Sequence, residues 1–317
     1  MELDEIIAEI SGISEEQRTA ARQRWNTLAK PLGSLGVLEE NVAKIAALTG
    51  KSPVTLNRRT LLIFCSDNGV VAQGVSQSDA AVTAAVAAAL GRGDSTVNFM
   101  ARAAHCEVMP IDIGMQCSTP GGVYAQKLMP GTNDMFYVSA MSRHTCIRAI
   151  EAGMVLARQQ AQAGTDILLL GEMGIGNTTT SAAVASVLLG RSAGELAGRG
   201  AGLSDEGLRR KIRVIARAID GNRPNPADPV DVLSKVGGLD LAALCGVCLG
   251  GAKYHVPVLL DGVITNTAAL CALRLCPAVR DALIASHVSQ EPAAKLLLEA
   301  LELEPCISAG LHLGEGS

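Results

Sequence analysis

The sequence predicts an α/β protein: a Rossmann-like, doubly wound parallel sheet with a small helical domain drawn from both chain ends. Three observations predict it. From about residue 58, short Leu-rich or β-branched runs alternate with Ala-rich helical runs. Apolar residues make up 48% of the 317 but aromatics only 2%, so the core must be built from Ala, Leu, Val and Ile. Small side chains suit helices packed closely on a sheet covered on both faces. Serial strand–turn–helix units then call for a mostly parallel sheet.

In chain order, residues 1–49 hold two helical segments around AKPLGSLGVLEE. TLLIFC (60–65) is a strand ending in the turn SDNG, and SDAAVTAAVAAALGRG is the next helix, capped by Ser78 and closed by Gly91. CEVMPIDIG (106–114) is the second strand, and MFYVS (135–139) reads as a further one. RHTCIRAIEAGMVLARQQAQAG is a long helix ending at Gly164. DILLLGEMGIG (166–176) is a buried strand by composition, running into a glycine-rich turn and the helix TTTSAAVASVLLG. A helix over roughly 204–218 follows, then the strand-like HVPVLLDG (255–262), the helix TNTAALCALRLC and the short apolar run ALIASH (282–287). SQEPAAKLLLEALELEP is a closing amphipathic helix, with Ser289 as cap and Pro292 in its first turn. The expected division is 55–285 for the sheet domain, with 1–54 and 286–317 forming the helical one.

Composition excludes several functions. The net charge is −4 and the basic residues are scattered, which leaves no footprint for nucleic acid, and so few aromatics give no stacking platform. No apolar run is long enough to span a bilayer, and the acidic start MELDEIIAEI is unlike a signal peptide, so a soluble cytoplasmic chain is expected. The nine cysteines are irregularly spaced; Cys245 and Cys248 form a C-x-x-C inside an apolar helical stretch with no second pair. Such thiols read as small buried side chains in a reducing compartment. The five histidines are isolated, and neither a metal nor a cofactor is expected.

In doubly wound sheets ligands bind where strands end and helices begin. That singles out Asp67, Asn68 and the stretches 172–178 and 261–266. In GEMGIGNTTTS, Gly174 and Gly176 allow a tight turn, and Asn177 and Thr178 open a helix whose N-terminus favours an anion. The stretch is neither a Walker A loop nor a dinucleotide fingerprint; it fits a single phosphate, or else a turn needed only for packing. GRGAGLSDEGLRRKI places Gly200 in a second such turn and Lys211 two helical turns on, either as a phosphate ligand or on a solvated basic face. Glu172 ends an apolar strand, where an unpaired carboxylate is costly; it serves the site or caps the neighbouring helix. Glu315, between two glycines in LHLGEGS, belongs to an incidental tail or to a catalytic loop.

Seven stretches in order resemble the nicotinate-nucleotide:dimethylbenzimidazole phosphoribosyltransferase family. They are KPLGSLGVLE (30–39), DNGVVAQGVS (67–76) with VT (82–83), GEMGIGNTTT (171–180), GRGAGL (198–203), DGVITNTAAL (261–270), ASHVSQEP (285–292) and LGEGS (313–317). The resemblance implies transfer of ribose phosphate from nicotinate mononucleotide to an aromatic base, with release of nicotinate and no metal. It matches Glu315 to a general base and Glu172 to a second carboxylate. Gly174, Gly176, Asn177, Thr178, Gly200, Lys211 and Gly262 match the nucleotide and phosphate region, and Ser78, Val86 and Leu313 the acceptor pocket.

The chain departs from the family's pattern at several places. Asn68 stands where the family usually has His, Val86 where it commonly has Gln, and Ser308 where Asp is common. EPAAK replaces the usual EPGH. Most members continue past GEGTGA with another helix where this sequence ends at Ser317, so either that helix is missing from it or a partner subunit supplies what it did. A less polar pocket at Val86 would suit a phenol, as in a branch of the family that pairs two paralogous subunits. A homodimer or such a heterodimer is expected, and a non-catalytic paralogue that stabilises an active partner is the alternative reading.

Overall fold

The computed structural model describes residues 3–317. One sheet is formed by β1 (Arg59–Ser66), β2 (Cys106–Gly114), β3 (Tyr124–Ala125), β4 (Ile167–Met173), β5 (Val258–Leu260) and β6 (Leu283–Ala285). All neighbours pair in parallel, in the order β3-β2-β1-β4-β5-β6. The chain builds outward from β1 to β3, then returns to add β4, β5 and β6 on the other side. The direction of winding therefore reverses between β1 and β4, and their departing loops leave a crevice.

Strand β1 shows why the sheet forms. Leu61, Ile63 and Cys65 join one apolar cluster, and Leu62 and Phe64 join the other. Successive strand residues face opposite sides, so a sheet buried on both faces reads in sequence as one continuous apolar run.

Helices α1 (Leu3–Ala8), α2 (Glu15–Asn26) and α3 (Val37–Thr49) precede the sheet, one more than the two segments expected there. Helices α4 (Ala81–Arg92) and α5 (Thr96–Ala103) connect β1 to β2, and α6 (Arg143–Gln162) leads into β4. The long β4–β5 crossover holds α7 (Asn177–Leu189), α8 (Ala193–Leu196), α9 (Asp205–Asn222), α10 (Pro229–Val236) and α11 (Leu239–Lys253). Helix α12 (Val263–Leu275) joins β5 to β6, and α13 (Ala294–Leu301) follows. Helix α13 packs on α12 and adds Leu297 and Leu301 to the main core. The chain ends also touch where Asn41 Nδ2 donates to Cys306 Sγ at 3.2 Å.

Helix α11 is buried from Leu239 through Ala252, as a helix apolar on all sides should be. It lies against α6 so closely that a Cβ on Gly153 would strike the Ala243 carbonyl, and one on Gly246 the Ile150 carbonyl. Cys245 and Cys248 are two of its buried side chains, and all nine cysteines are unpaired. Among the described residues no helix is long and apolar enough to cross a membrane.

Four local expectations need correction. Helix α4 starts at Ala81 with Ala80 as N-cap, so Ser78 is not its cap. Gly93, at φ +80°, closes that helix in the left-handed conformation; Gly91 lies inside it, against the Gly121 carbonyl. Residues 135–139 form a turn, because Asp134 Oδ1 accepts from Phe136 N–H and the Asp134 carbonyl from Tyr137 and Val138. Helix α13 begins at Ala294 with Ala293 as cap, while Ser289 Oγ accepts from Glu291 N–H in the turn before it, and Pro292 stays outside the helix.

The α6–α11 contact makes a signed prediction. Gly246→Ala gains up to about 1 kcal/mol of helix propensity, but overpacking against a backbone costs about 1–3 kcal/mol. A net fall in the urea midpoint is expected. An unchanged or raised midpoint would show that the two backbones are not held in contact.

Candidate active site

A cavity of about 400 Å³ opens at the carboxyl end of the sheet, a size suited to a small-molecule ligand. Its walls come from the end of β4 (Glu172, Met173), the loops after β5 (Asp261, Gly262) and β6 (His287, Ser289, Glu291), and the terminal loop (Leu313 to Glu315). Of the residues singled out in sequence, Glu172, Gly174, Asn177, Thr178, Gly200, Gly262, Ser78, Val86, Leu313 and Glu315 all line it. Segments more than 200 residues apart in sequence meet there because each ends or follows a strand.

Two candidates lie behind this lining. Gly176, at φ +91°, is the N-cap of α7, a backbone geometry that glycine adopts without strain. Lys211 is fully buried, so it is not part of a solvated basic face. Its Nζ donates to Thr178 Oγ1 at 2.8 Å and to the Gly198 carbonyl at 3.0 Å. Burial pushes its pKa down to about 8, opposed by the charge of Glu291, which leaves it largely protonated at neutral pH. Its charge reaches the cavity across the Thr178 hydroxyl. Glu291 Oε1 in turn accepts from Gly200 N–H at 3.0 Å and so holds the second glycine turn. Lys211, Thr178 and the N-terminus of α7 favour an anion here, while the Glu291 carboxylate, which also lines the cavity, opposes one.

Part of the lining is apolar. Val82 and Val86 are one turn apart on α4 and face the cavity with Met173, Ile175 and Leu313. Ser78, released from capping, adds a hydroxyl to this wall.

The terminal loop is held firmly. Gly314, Glu315 and Gly316 have φ of +84°, +63° and +81°, so a glutamate sits in the left-handed region between two glycines. That conformation disfavours any residue with a Cβ, by roughly 1–2 kcal/mol, and needs external restraint. Gly316 N–H donates to Asp261 Oδ2 at 3.1 Å, while Ser317 N–H and Oγ–H both donate to the Gly314 carbonyl, at 3.1 and 2.6 Å. The Glu315 carbonyl rests on β4 at Gly171, where a Cβ would come within 2.6 Å of it.

Acidic groups crowd the cavity floor. Burial, then the charges of Asp240 and Asp261, push Glu172 well above the ordinary glutamate value; Glu315 adds to this, while a hydrogen bond from Asn177 Nδ2 opposes it. Burial raises Asp261 to about 6, with the Gly316 N–H opposing and Glu315 reinforcing. Burial also raises Glu315. His287 Nδ1 lies 3.8 Å from Asp261 Oδ1, but burial depresses its pKa, so at neutral pH it gives no countercharge. Among the described residues, no three His, Cys, Asp or Glu side chains are grouped as metal ligands.

Residues 10–317 match the model of a phosphoribosyltransferase family. The chain belongs to this family. It is 43% identical over 318 residues to nicotinate-nucleotide–dimethylbenzimidazole phosphoribosyltransferase of Ruminiclostridium cellulolyticum, covering 100% of this chain and 90% of that one. The enzyme of the same name from Clostridium acetobutylicum is 39% identical, with the same coverage. The crystal structure of CobT from Thermus thermophilus superposes with a TM-score of 0.90 at 39% identity, over 95% of this chain and 91% of that one. The protein is thus a phosphoribosyltransferase, and the fold expected from its sequence is the fold of its family.

In this phosphoribosyltransferase the sequence points to Asp261 only as part of the stretch 261–266 and to Ser289 only as a helix cap, and it assigns no role to His287 or Glu291. Their signal is the same as for Glu172: polar residues directly after apolar strand runs. The seating of Glu315 on Gly171 is open to test. Gly171→Ala should displace the terminal loop and cut turnover at least tenfold, the scale expected when a reacting group is misplaced by about 1 Å. The thermal midpoint should fall too, because residue 171 is buried and an added Cβ also crowds Ile63, so turnover is compared well below that midpoint. Wild-type turnover in this variant would show that the contact does not position Glu315.

Proposed function

We propose that the protein transfers ribose 5-phosphate from nicotinate mononucleotide to an aromatic base, with 5,6-dimethylbenzimidazole the acceptor named for its relatives. The product would be an α-ribotide for the lower ligand of a cobamide. One observation carries the reading: Glu315 and Glu172 face a single cavity with an anion-favouring part and an apolar part.

The chemistry follows from this arrangement. The phosphate occupies the end formed by α7, Thr178 and Gly200, with the Lys211 charge behind it. The acceptor ring lies against Val82, Val86 and Leu313. As its nitrogen attacks the anomeric carbon, the bond to the pyridinium nitrogen breaks and its electron pair neutralises that ring. The leaving group needs no proton. Glu315 takes the proton from the acceptor, a role suited to a carboxylate whose pKa is raised toward neutrality. Glu172 faces the positive charge that develops on the ribose. The cationic ring of the donor favours its ionised form, which offsets the effect of burial.

A second acceptor class rests on Val86 and Val82. With aliphatic side chains on that wall, a phenol could bind by its ring and lose its hydroxyl proton to the same Glu315.

Incubation of the protein with nicotinate mononucleotide and dimethylbenzimidazole, phenol or p-cresol should release nicotinate. Glu315→Gln should lower kcat by about 10²–10⁴-fold with little change in KM for the nucleotide. Because the base works deprotonated, activity should fall as pH drops through its pKa, at a limb above the ordinary glutamate value of about 4.3. Activity only in mixture with a paralogous subunit would favour a supporting role. No nicotinate release with any azole or phenol, alone or mixed, would refute the assignment.

A further inference from the structure

Asp240 does not line the cavity, yet it lies directly behind it. It is fully buried near the start of α11, where its Oδ1 accepts from Leu241 N–H at 2.9 Å. Its Oδ2 has no hydrogen-bond partner. A buried carboxylate oxygen without a donor destabilises the fold, so its retention asks for a reason. The position suggests one. A Cβ on Gly174 would fall 3.1 Å from Asp240 Oδ2 and 3.2 Å from Asn68 Nδ2, so the carboxylate sits immediately under the glycine turn of the site.

Asn177 connects this carboxylate to the reacting end of the cavity. Its Nδ2 donates to Glu172 Oε2. The same amide lies close enough to Asp240 to favour that group's charged form. Asn177 itself lines the cavity.

We propose that Asp240 is a positioning residue for Glu172, acting through Asn177. Glu172 on β4 holds the Asn177 amide directly, and Asp240 Oδ2 on α11 lies under Gly174, whose carbonyl accepts from Asn177 N–H at 3.0 Å. That fixes the plane of the Asn177 side chain and couples the charge of one acid to the other. An amide whose NH₂ is turned inward leaves its carbonyl for the ligand, and a carbonyl accepts from a hydroxyl, such as those of a ribose. The inference rests on the nucleotide reading above and adds to it how the donor's sugar is oriented.

The charged groups around the pair share one sign. Asp67, in the loop after β1, faces Asp240, and Asp261 and Glu315 face Glu172 from the loop after β5 and the terminal loop. Burial first, and then the Asp240 charge, raise Glu172; burial raises Asp240 to about 6. Removing the charge at residue 240 therefore lets Glu172 ionise at lower pH.

The decisive variant is Asp240→Asn, with Asp240→Ser as a second in case the first does not fold. Both Glu315 and Glu172 must be ionised, and Glu172 is the more strongly raised of the two. It sets the upper part of the acid limb of kcat/KM for nicotinate mononucleotide, which should move to lower pH by about half a unit or more. Turnover should fall about tenfold, while KM for the acceptor stays within about twofold, since Asp240 acts on the donor side. Adding the change to Glu172→Gln should cost little more than Glu172→Gln alone, as expected for residues that act as a unit. In parallel, the carboxyl stretch of Glu172, identified by its loss in Glu172→Gln, can be titrated by infrared difference spectroscopy on the ligand-free protein. A folded variant with the wild-type acid limb and the wild-type Glu172 titration would overturn the proposal. If the wild type releases no nicotinate, the nucleotide reading fails, and the infrared titration alone still decides whether Asp240 and Glu172 are coupled.

Discussion

Glu315 can face the cavity only because residue 171 of the central sheet carries no side chain. The terminal loop crosses β4 at that point, with the Glu315 carbonyl where a Cβ would otherwise project. Asp261 then fixes the loop from the neighbouring strand end through Gly316 N–H. Here three consecutive left-handed residues fold the loop back on itself, and hydrogen bonds from Ser317 to Gly314 close it. The unfavourable conformation of Glu315 is maintained by its surroundings, as backbone strain at functional sites generally is.

That solution places Asp261 beside Glu315, and the topology adds Glu172 and Asp240 nearby. The floor of the site is therefore an accumulation of buried carboxylates whose nearest imidazole, His287, is neutral. In the absence of substrate this is a destabilising arrangement. A cation bound among these groups would compensate, as the pyridinium ring of the proposed donor would. The lysine lies behind Thr178, with Glu291 as its own carboxylate neighbour, so its charge is not spent on the floor carboxylates.

Much of this is legible in the sequence, and the reasons are local. Strand β2 occupies 106–114 as its apolar run does, and Glu172 stands out because burying an acid at the end of an apolar strand demands a partner. Asp240 carries the same signal in LDLAALC, hidden in a run that draws attention for its cysteines. Lys211 is legible by phase: the buried positions of α9 are Gly207, Lys211, Val214, Ile215 and Ala218, a helical stripe that includes the lysine. Reading the basic run as one exposed face overlooks that period. The differences at Ser78, Ser289 and 135–139 share another cause. Ser289 and Asp134 hydrogen-bond within turns and Ser78 lines the cavity instead of capping, and sequence proximity alone does not distinguish these outcomes.

What the sequence could not supply is the pairing of distant groups. Gly171 reads as an ordinary small residue in a strand until the terminal loop is seen lying on it, 144 residues later in sequence order. Gly198 and Gly200 look like turn formers until Glu291 is found against both. In each case a glycine in one motif and an acid in another are two halves of one contact, and neither half is informative alone. A parallel sheet brings them together because every crossover returns the chain to the same edge. The site's residues are therefore spread through the sequence as short fragments, each just past a strand. This is why Glu315, at the last of those edges, belongs to the same cavity as Glu172.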